Sequence, residues 1–500
     1  MESEKSAMDR IAENGLALAN AEGLISASRD IATPFHLQIK DQIGVKTIEV
    51  ERIFRLLPGR RIVALAKDGG QPVLVKIFLG RSANKYARRE RSGIRALQVA
   101  DVETPEILWG GQFKLGEVVA LSFLSDATSL LDYWPLKSAD RPLLLNKVVA
   151  ILARMHAAGV VQNDIHLDNF LISGENIFTI DGGAVERNQT EALSESASLK
   201  NLAMFFAQLQ PRFDCLVQGA LPHYMQQRDM QQRGWPQDES RLDRLMAEIS
   251  RQRETRKRNY IGKTLRECSR FFCKSSFSQF EVCDRDALSS DMRQLLDSPD
   301  EMMASGKILK NGNSATVALV QLGERSVVVK RYNMKSAIHW LRRMFRPSRA
   351  WHAWRNAHLM EFLGIASLRP LALIERRIGP LRSTAYLVTD YVEGQDAMSV
   401  LPTLDNPNGE LKAIVDILGE LSSARLSHGD LKATNFLMTA DGPVVIDLDG
   451  MQEHQSTGSL SKAFRRDLER FMANWQDQPE LRQRFEVLLE QLSARHGANV

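Results

Sequence analysis

The chain has 500 residues, 44% of them hydrophobic and 25% charged, which excludes a largely disordered chain, a collagen-like fibre and a low-complexity array. A single hydrophobic core stops growing at roughly 250–300 residues, so the length asks for two to four domains. The 65 basic and 61 acidic residues leave a net charge of +4, too small to mark a nucleic-acid binder without a local patch.

Cys215, Cys268, Cys273 and Cys283 are too few for a disulfide framework and lack zinc-site spacing, so reduced thiols are expected. The opening Met-Glu-Ser-Glu-Lys lacks a basic-then-apolar signal pattern. No apolar run approaches the ~18 residues of a membrane span. A cytoplasmic protein is expected, with peripheral contact with the inner membrane compatible with this.

In chain order, residues 1–44 are small and polar and read as a loosely held extension or cap. Strands are predicted at 47–56, 60–67 and 71–79, with Asp68-Gly69-Gly70 as the last turn. A helix follows at 84–99, β-like sequence at 117–123, a helix at 142–158, and short strands at 169–172 and 177–180. Residues 187–306 read as mostly polar helix, with a basic run at 251–258 taken as a solvated helix face or an inter-domain surface. The order then recurs: strands at 317–322 and 325–332, a helix at 351–363, a strand at 385–391, a helix at 411–421, and strands at 435–438 and 443–446.

The recurrence is ungapped over its most informative stretch. An offset of 266 lays Ile151 on Ile417, Asp164 on Asp430, Asn169 on Asn435, Phe170 on Phe436 and Asp181 on Asp447. Apolar matches arise easily between two helix–strand–strand units. Two aspartates and an asparagine at unchanged spacing do not, and the period is far too long for a solenoid. The reading is two copies of one whole domain.

That spacing suits phosphoryl chemistry. The Asn oxygen and the later Asp offer hard oxygen ligands of the kind Mg²⁺ takes. The earlier Asp can accept a proton from an acceptor hydroxyl. Upstream, Lys76 lies within Val73-Leu74-Val75-Lys76-Ile77-Phe78, and Lys330 within Val327-Val328-Val329-Lys330-Arg331-Tyr332. A lysine on a mostly apolar strand face is costly unless an anion meets it, and ATP phosphates would supply one.

Strand lysine, helix glutamate, Asp-x4-Asn loop and following Asp together resemble the protein-kinase-like superfamily. His428-Gly-Asp-Leu-Lys-Ala-Thr-Asn-Phe-Leu437 with Ile446-Asp-Leu-Asp-Gly450 resembles the bacterial lipopolysaccharide core kinases, the Kdo and heptose kinase group. Leu57-Pro-Gly-Arg-Arg61, Val75-Lys-Ile-Phe78, Arg89-Glu90 and Asn163-Asp-Ile-His-Leu-Asp-Asn-Phe-Leu171 share that character. The resemblance implies an α+β chain with two protein-kinase-like domains in tandem, each with a β-rich lobe and a helical lobe. The divisions are an extension at 1–44, a first domain at 45–300 with its catalytic core at about 47–200, and a second at 301–500.

In the first copy the resemblance implies that Lys76 holds ATP phosphates, Glu90 pairs with Lys76, and Gly59 belongs to the phosphate-covering turn. Asp164 would be the base, and Asn169 and Asp181 would hold Mg²⁺. In the second copy the corresponding residues are Lys330, Gly312, Asp430, Asn435 and Asp447. Lys432 would face the transferred phosphoryl group, and Asp449 would be a candidate further metal ligand. Glu90 falls opposite Ala353, and the helix at 351–360 has no acid, so either Glu361 or another group substitutes or this copy binds nucleotide poorly.

Neither copy has the long activation segment and anchor of a protein kinase, and Asn163 and Gly429 stand where an Arg precedes the base. A sugar or other small hydroxyl is the expected acceptor, with the lipopolysaccharide core as the partner implied by the resemblance and no nucleic acid. The stretch 331–360, from Arg331 to Met360, carries seven Lys and Arg and three Trp with no acid, a pattern suited to an anionic membrane surface or glycolipid, equally to RNA phosphates and bases, or to solvated arginines around core tryptophans. Two alternatives stay open: a non-catalytic nucleotide- or glycolipid-binding scaffold in one or both copies, and a kinase of a soluble small molecule.

Overall fold

The computed structural model describes residues 18–136, 139–187, 191–231, 240–333 and 344–496. The chain divides into two compact units, Met1–Leu209 with Phe213–Arg253, and Gln210–Arg212 with Glu254–Val500. Helix and strand are mixed throughout both.

In the first unit, β1 (Leu18–Ala19), β2 (Phe35–Lys40), β3 (Val45–Leu57), β4 (Arg61–Asp68), β5 (Gln71–Leu79), β6 (Ile107–Phe113) and β7 (Gly116–Ser122) form one sheet, in the order β1-β2-β3-β4-β5-β7-β6. One further pair, Lys40 with Gln112, joins β2 to β6 and closes the sheet on itself. Alternation along β5 buries Val73, Val75 and Ile77 on the inner face with Leu37, Ile48 and Ile62. Lys76 therefore points the other way, between Val63 on β4 and Val119 on β7. The helix Ala83–Val99 buries Ala83, Ala87, Glu90, Ile94 and Leu97 at helical spacing, which puts Glu90 on its inward stripe.

The rest of this unit is helical, with Leu145, Val148, Leu152, Phe170, Leu202 and Phe205 in its core. Five short strands lie on it: β8 (Thr128–Ser129), β9 (Val160–Gln162), β10 (Phe170–Ser173), β11 (Asn176–Thr179) and β12 (Val185–Arg187). They pair as β11-β10-β8 and β12-β9.

The second unit begins with β13 (Phe271–Ser275) and β14 (Gln279–Asp284). β15 (Lys307–Asn311), β16 (Ala315–Leu322), β17 (Arg325–Tyr332), β18 (Pro370–Ile378) and β19 (Leu381–Asp390) follow. Their order is β13-β14-β18-β19-β17-β16-β15. The helical part carries β20 (Gln395–Asp396), β21 (Leu426–Ser427), β22 (Phe436–Thr439), β23 (Gly442–Val445) and β24 (Gln452–Glu453).

Three sequence expectations change here. Residues 18–40 are not a loose extension, because β2 runs antiparallel to β3 through Phe35–Lys40 and its Phe35, Leu37 and Ile39 are core. The stretch 187–306 is not all helix, because β14 pairs with β18 and so ties 271–284 to the second sheet. The compact units accordingly divide near Arg253 rather than at 300. Cys215, Cys268, Cys273 and Cys283 are unbridged in the structure, and among the described residues no helix is long and apolar enough to cross a membrane.

Glu361 lies at the end of the helix Arg349–Leu363. Its carboxylate accepts hydrogen bonds from Tyr260 (2.7 Å), Arg270 (2.6 Å) and His358 (2.9 Å). Burial would raise its pKa, but those three donors outweigh burial and hold it at about 2, below the ordinary 4.5. A carboxylate depressed by folding contributes stability above its unfolded pKa and loses it as pH falls toward the folded one. Glu361→Gln is therefore expected to lower stability at neutral pH and to flatten the acid limb between pH 4.5 and about 2, read from urea midpoints against pH.

Candidate active site

In the first unit the Asp164 loop lies between β9 and β10 and ends in a short 3-10 turn, Leu167–Asn169. Asn169 Nδ2 donates to the Asp164 carbonyl at 2.8 Å, which leaves its Oδ1 for a cation. Asp164 itself is exposed, with its carboxylate 3.0 Å from His166 Nε2. Just past β11, Asp181 adopts a left-handed backbone, φ 66° and ψ 60°, a conformation short polar side chains tolerate and one often held at functional sites.

Lys76 joins the two halves of the site. Its Nζ lies 2.6 Å from Glu90 Oε1 and 3.4 Å from Asp181 Oδ1. Glu90 also accepts the backbone N–H groups of Gly182 (3.1 Å) and Gly183 (3.0 Å), so this carboxylate fixes both the lysine and the loop. The helix and the loop touch so closely that a Cβ at Gly93 would stand 1.8 Å from the Gly182 carbonyl oxygen. Burial pushes the Asp181 carboxyl up, but Lys76 and Arg61 outweigh it and hold it below the usual carboxylate value. A cavity of about 440 Å³ is lined by Arg55, Arg61, Lys76, Glu90, Asn169 and Asp181 among others. Gly59, with φ +66°, turns β3 into β4, and this hairpin supplies Arg55 and Arg61.

The second unit repeats the arrangement with one replacement. Asn435 Nδ2 donates to the Asp430 carbonyl at 2.8 Å, and Asp447 is again left-handed, φ 62°. Lys330 Nζ lies 2.5 Å from Asp447 Oδ1. Asp430 is held by Lys432 (3.1 Å) and Arg470 (2.9 Å). A cavity of about 380 Å³ is lined by Lys310, Ser314, Lys330, Tyr332, Arg349, Asn435 and Asp447 with apolar neighbours. Gly312 sits in the β15–β16 turn, where its carbonyl accepts from Asn333.

No carboxylate from the helix meets Lys330. Ala353 lines the cavity where the first unit has Glu90, and Glu361 belongs to the Tyr260–Arg270–His358 cluster, so it does not substitute. The helix is instead fastened to the loop by Arg349, whose guanidinium lies 2.5 Å from Asp449 Oδ2, and by Asn356, which donates to the Leu448 and Met451 carbonyls. Ser348 caps this helix and donates to the buried Glu375, which sets where Arg349 begins. The Asp449 carboxylate is thus engaged by Arg349 in this arrangement. Burial pushes the Asp447 carboxyl up, but Lys330 outweighs it and holds it well down; burial and Asp447 push Asp449 up against the pull of Lys330 and Arg349.

The donor set suits Mg²⁺ in both cavities: one amide oxygen and one carboxylate, hard ligands that leave positions for phosphate oxygens and water. Among the described residues no group of three or more His, Cys, Asp or Glu forms a metal site built from protein alone.

Sequence reasoning missed the residues that hold the base loops. Asp467, 3% exposed, accepts the N–H groups of His428 (2.6 Å) and Gly429 (3.1 Å). At the same offset of 266, Asn201 donates to the Gln162 carbonyl at 2.9 Å. Extending the ungapped match by some twenty residues would have found them. Within the described part of the basic, tryptophan-bearing stretch, Arg331 pairs with Asp300, Arg349 with Asp449 and Arg355 with Glu453, Trp354 is fully buried, and Arg346 is exposed. Lys335, Trp340, Arg342 and Arg343 lie outside the described residues.

Residues 294–489 match the lipopolysaccharide kinase (Kdo/WaaP) family. That family implies a phosphotransferase, and the matched stretch contains every second-unit residue discussed above from Lys310 to Arg470. The chain is also similar to two proteins described as probable bifunctional tRNA threonylcarbamoyladenosine biosynthesis proteins, from Methanosarcina acetivorans and Methanosarcina mazei. They are 29% and 27% identical over 157 residues, 28% of this chain. The chain spans about a quarter of the length of these relatives, 27% in each case. A solved structure of WaaP in complex with acyl carrier protein is 20% identical, with 41% of this chain and 88% of that chain covered and a TM-score of 0.31.

Proposed function

We propose that the chain is a tandem of two kinase-like domains that transfers phosphate from ATP to a sugar hydroxyl of the lipopolysaccharide core. The observation that carries this reading is the same in both units: a strand lysine meets the aspartate that follows an Asp-x4-Asn loop, Lys76 with Asp181 at 3.4 Å and Lys330 with Asp447 at 2.5 Å. Nothing in turn chemistry requires that meeting. The family match over 294–489 supports the sugar-linked acceptor.

The residues divide the work as follows. Lys76, oriented by Glu90, offers its charge to the nucleotide phosphates. Asp164 accepts the proton of the acceptor hydroxyl, and His166 holds its carboxylate in place. Arg55 and Arg61 add positive charge above the same cavity. Asn169 and Asp181 would hold Mg²⁺, which when bound neutralises charge on the phosphate oxygens. Catalysis of this kind is mostly positioning and charge compensation. Asp430, Asn435, Asp447 and Lys330 have the parallel roles in the second domain.

The curated relatives favour a second reading, a kinase-like unit that serves tRNA modification; their matched stretch is about a quarter of their length. Phosphate content of the glycolipid core separates the two. Cells carrying Asp164→Ala with Asp430→Ala are expected to lose core phosphate, and unchanged phosphate in both single variants and the double variant would sink the proposal.

A further inference from the structure

The second cavity contains a donor without an acceptor. Tyr332 is 6% exposed, lines the cavity, and among the described residues its hydroxyl has no hydrogen-bond partner. Burial, followed by the nearby Asp449 and Asp447 charges, raises its pKa well above 10, so the hydroxyl stays protonated. Buried unpartnered donors are rare and costly in folded proteins, and a ligand that accepts from this one removes the cost.

The surroundings indicate an anion. Lys330 Nζ and the Arg349 guanidinium carbon lie 5.0 and 5.1 Å from the Tyr332 ring centre, and Lys310 lines the same cavity. Arg349 uses one edge on Asp449; a guanidinium has five donors in a planar fork, enough to serve a second anion from the same position. The remaining wall includes Ala353, Ala357, Leu368, Leu387 and Val445, an apolar surface suited to a flat base. The first unit differs at the corresponding positions. Phe78 stands two residues after Lys76, with no hydroxyl to offer, and the helix presents Glu90.

We infer that Tyr332 and Arg349 form a phosphate-binding pair in the second cavity, in place of the lysine–glutamate pair of the first, and that they hold the diphosphate of a nucleotide. This rests on the kinase-like reading of the second unit and gives that unit its own way of binding nucleotide without a helix carboxylate.

The test uses the full chain with Lys76→Met and Glu90→Gln, which removes the first cavity's charge pair, so that calorimetry with MgADP reports the second cavity. The parent is expected to bind MgADP, and to bind inorganic pyrophosphate more weakly because the apolar wall is then unused. Tyr332→Phe is expected to weaken MgADP about tenfold, the size of a hydrogen bond to a charged group, with no fall in unliganded melting temperature. Arg349→Gln is expected to weaken it at least as much. Unchanged MgADP affinity in Tyr332→Phe, or a loss that tracks a loss of unliganded stability, overturns the inference alone. Pyrophosphate bound as tightly as MgADP overturns the assignment to a nucleotide. A parent that binds no MgADP overturns the inference and the nucleotide-binding reading of the second unit together.

Discussion

Asp164→Asn is expected to lower phosphoryl transfer by the first unit by roughly 10²–10⁴-fold, the range removed with a positioned general base. Asparagine keeps the shape of the side chain but cannot accept the hydroxyl proton. The loop itself should survive, because Asn169 is bonded to the Asp164 backbone carbonyl, not to its carboxylate. Nucleotide affinity should therefore change little while turnover collapses, a split that single-turnover transfer from labelled ATP resolves. Loss of affinity equal to the loss of turnover would mean Asp164 serves the fold rather than the chemistry. Asp430→Asn should resemble it in the second unit, with an added effect on Lys432 and Arg470, which both lean on that carboxylate.

Glu90→Ala is expected to destabilise the first unit by about 3–5 kcal/mol, the cost of breaking a buried ion pair from one side. Glu90 is 1% exposed and meets three donors, Lys76 Nζ and the N–H groups of Gly182 and Gly183. Removing it leaves the buried Lys76 ammonium with only the longer Asp181 contact at 3.4 Å and frees the loop that carries Asp181. Glu90→Gln retains an acceptor oxygen for the glycines and should cost less. Urea unfolding of the full chain checks this: the transition of the first unit should move to lower denaturant and that of the second should not. Equal stability of Glu90→Ala and wild type would contradict the role given to this carboxylate.

Much of the site was legible because its chemistry sits in short, rigidly spaced runs. Asp164 to Asn169 and Asp430 to Asn435 each close one loop, so their spacing in sequence is also their spacing in space. Strand alternation puts Lys76 and Lys330 on the strand face that lines each cavity, since period two leaves little choice of face. What escaped was set by partners far along the chain. β14 joins the second sheet through β18, about ninety residues later, and no local pattern announces such a pairing. Arg349 and Asp449 are likewise a hundred residues apart. Glu361 was the one acid near enough in sequence to stand in for Glu90. It lies eight residues beyond Ala353, roughly 12 Å farther along a helix, where Arg270 and Tyr260 hold it.

The central claim is transfer from ATP to the glycolipid core. It is tested most directly by incubating the purified chain with γ-labelled ATP, Mg²⁺ and purified core glycolipid, then locating the label. The account predicts label in a phosphate ester on a core sugar, present with wild type and absent with Asp164→Asn combined with Asp430→Asn. Label found only as free phosphate, or glycolipid labelled equally by that double variant, would contradict it.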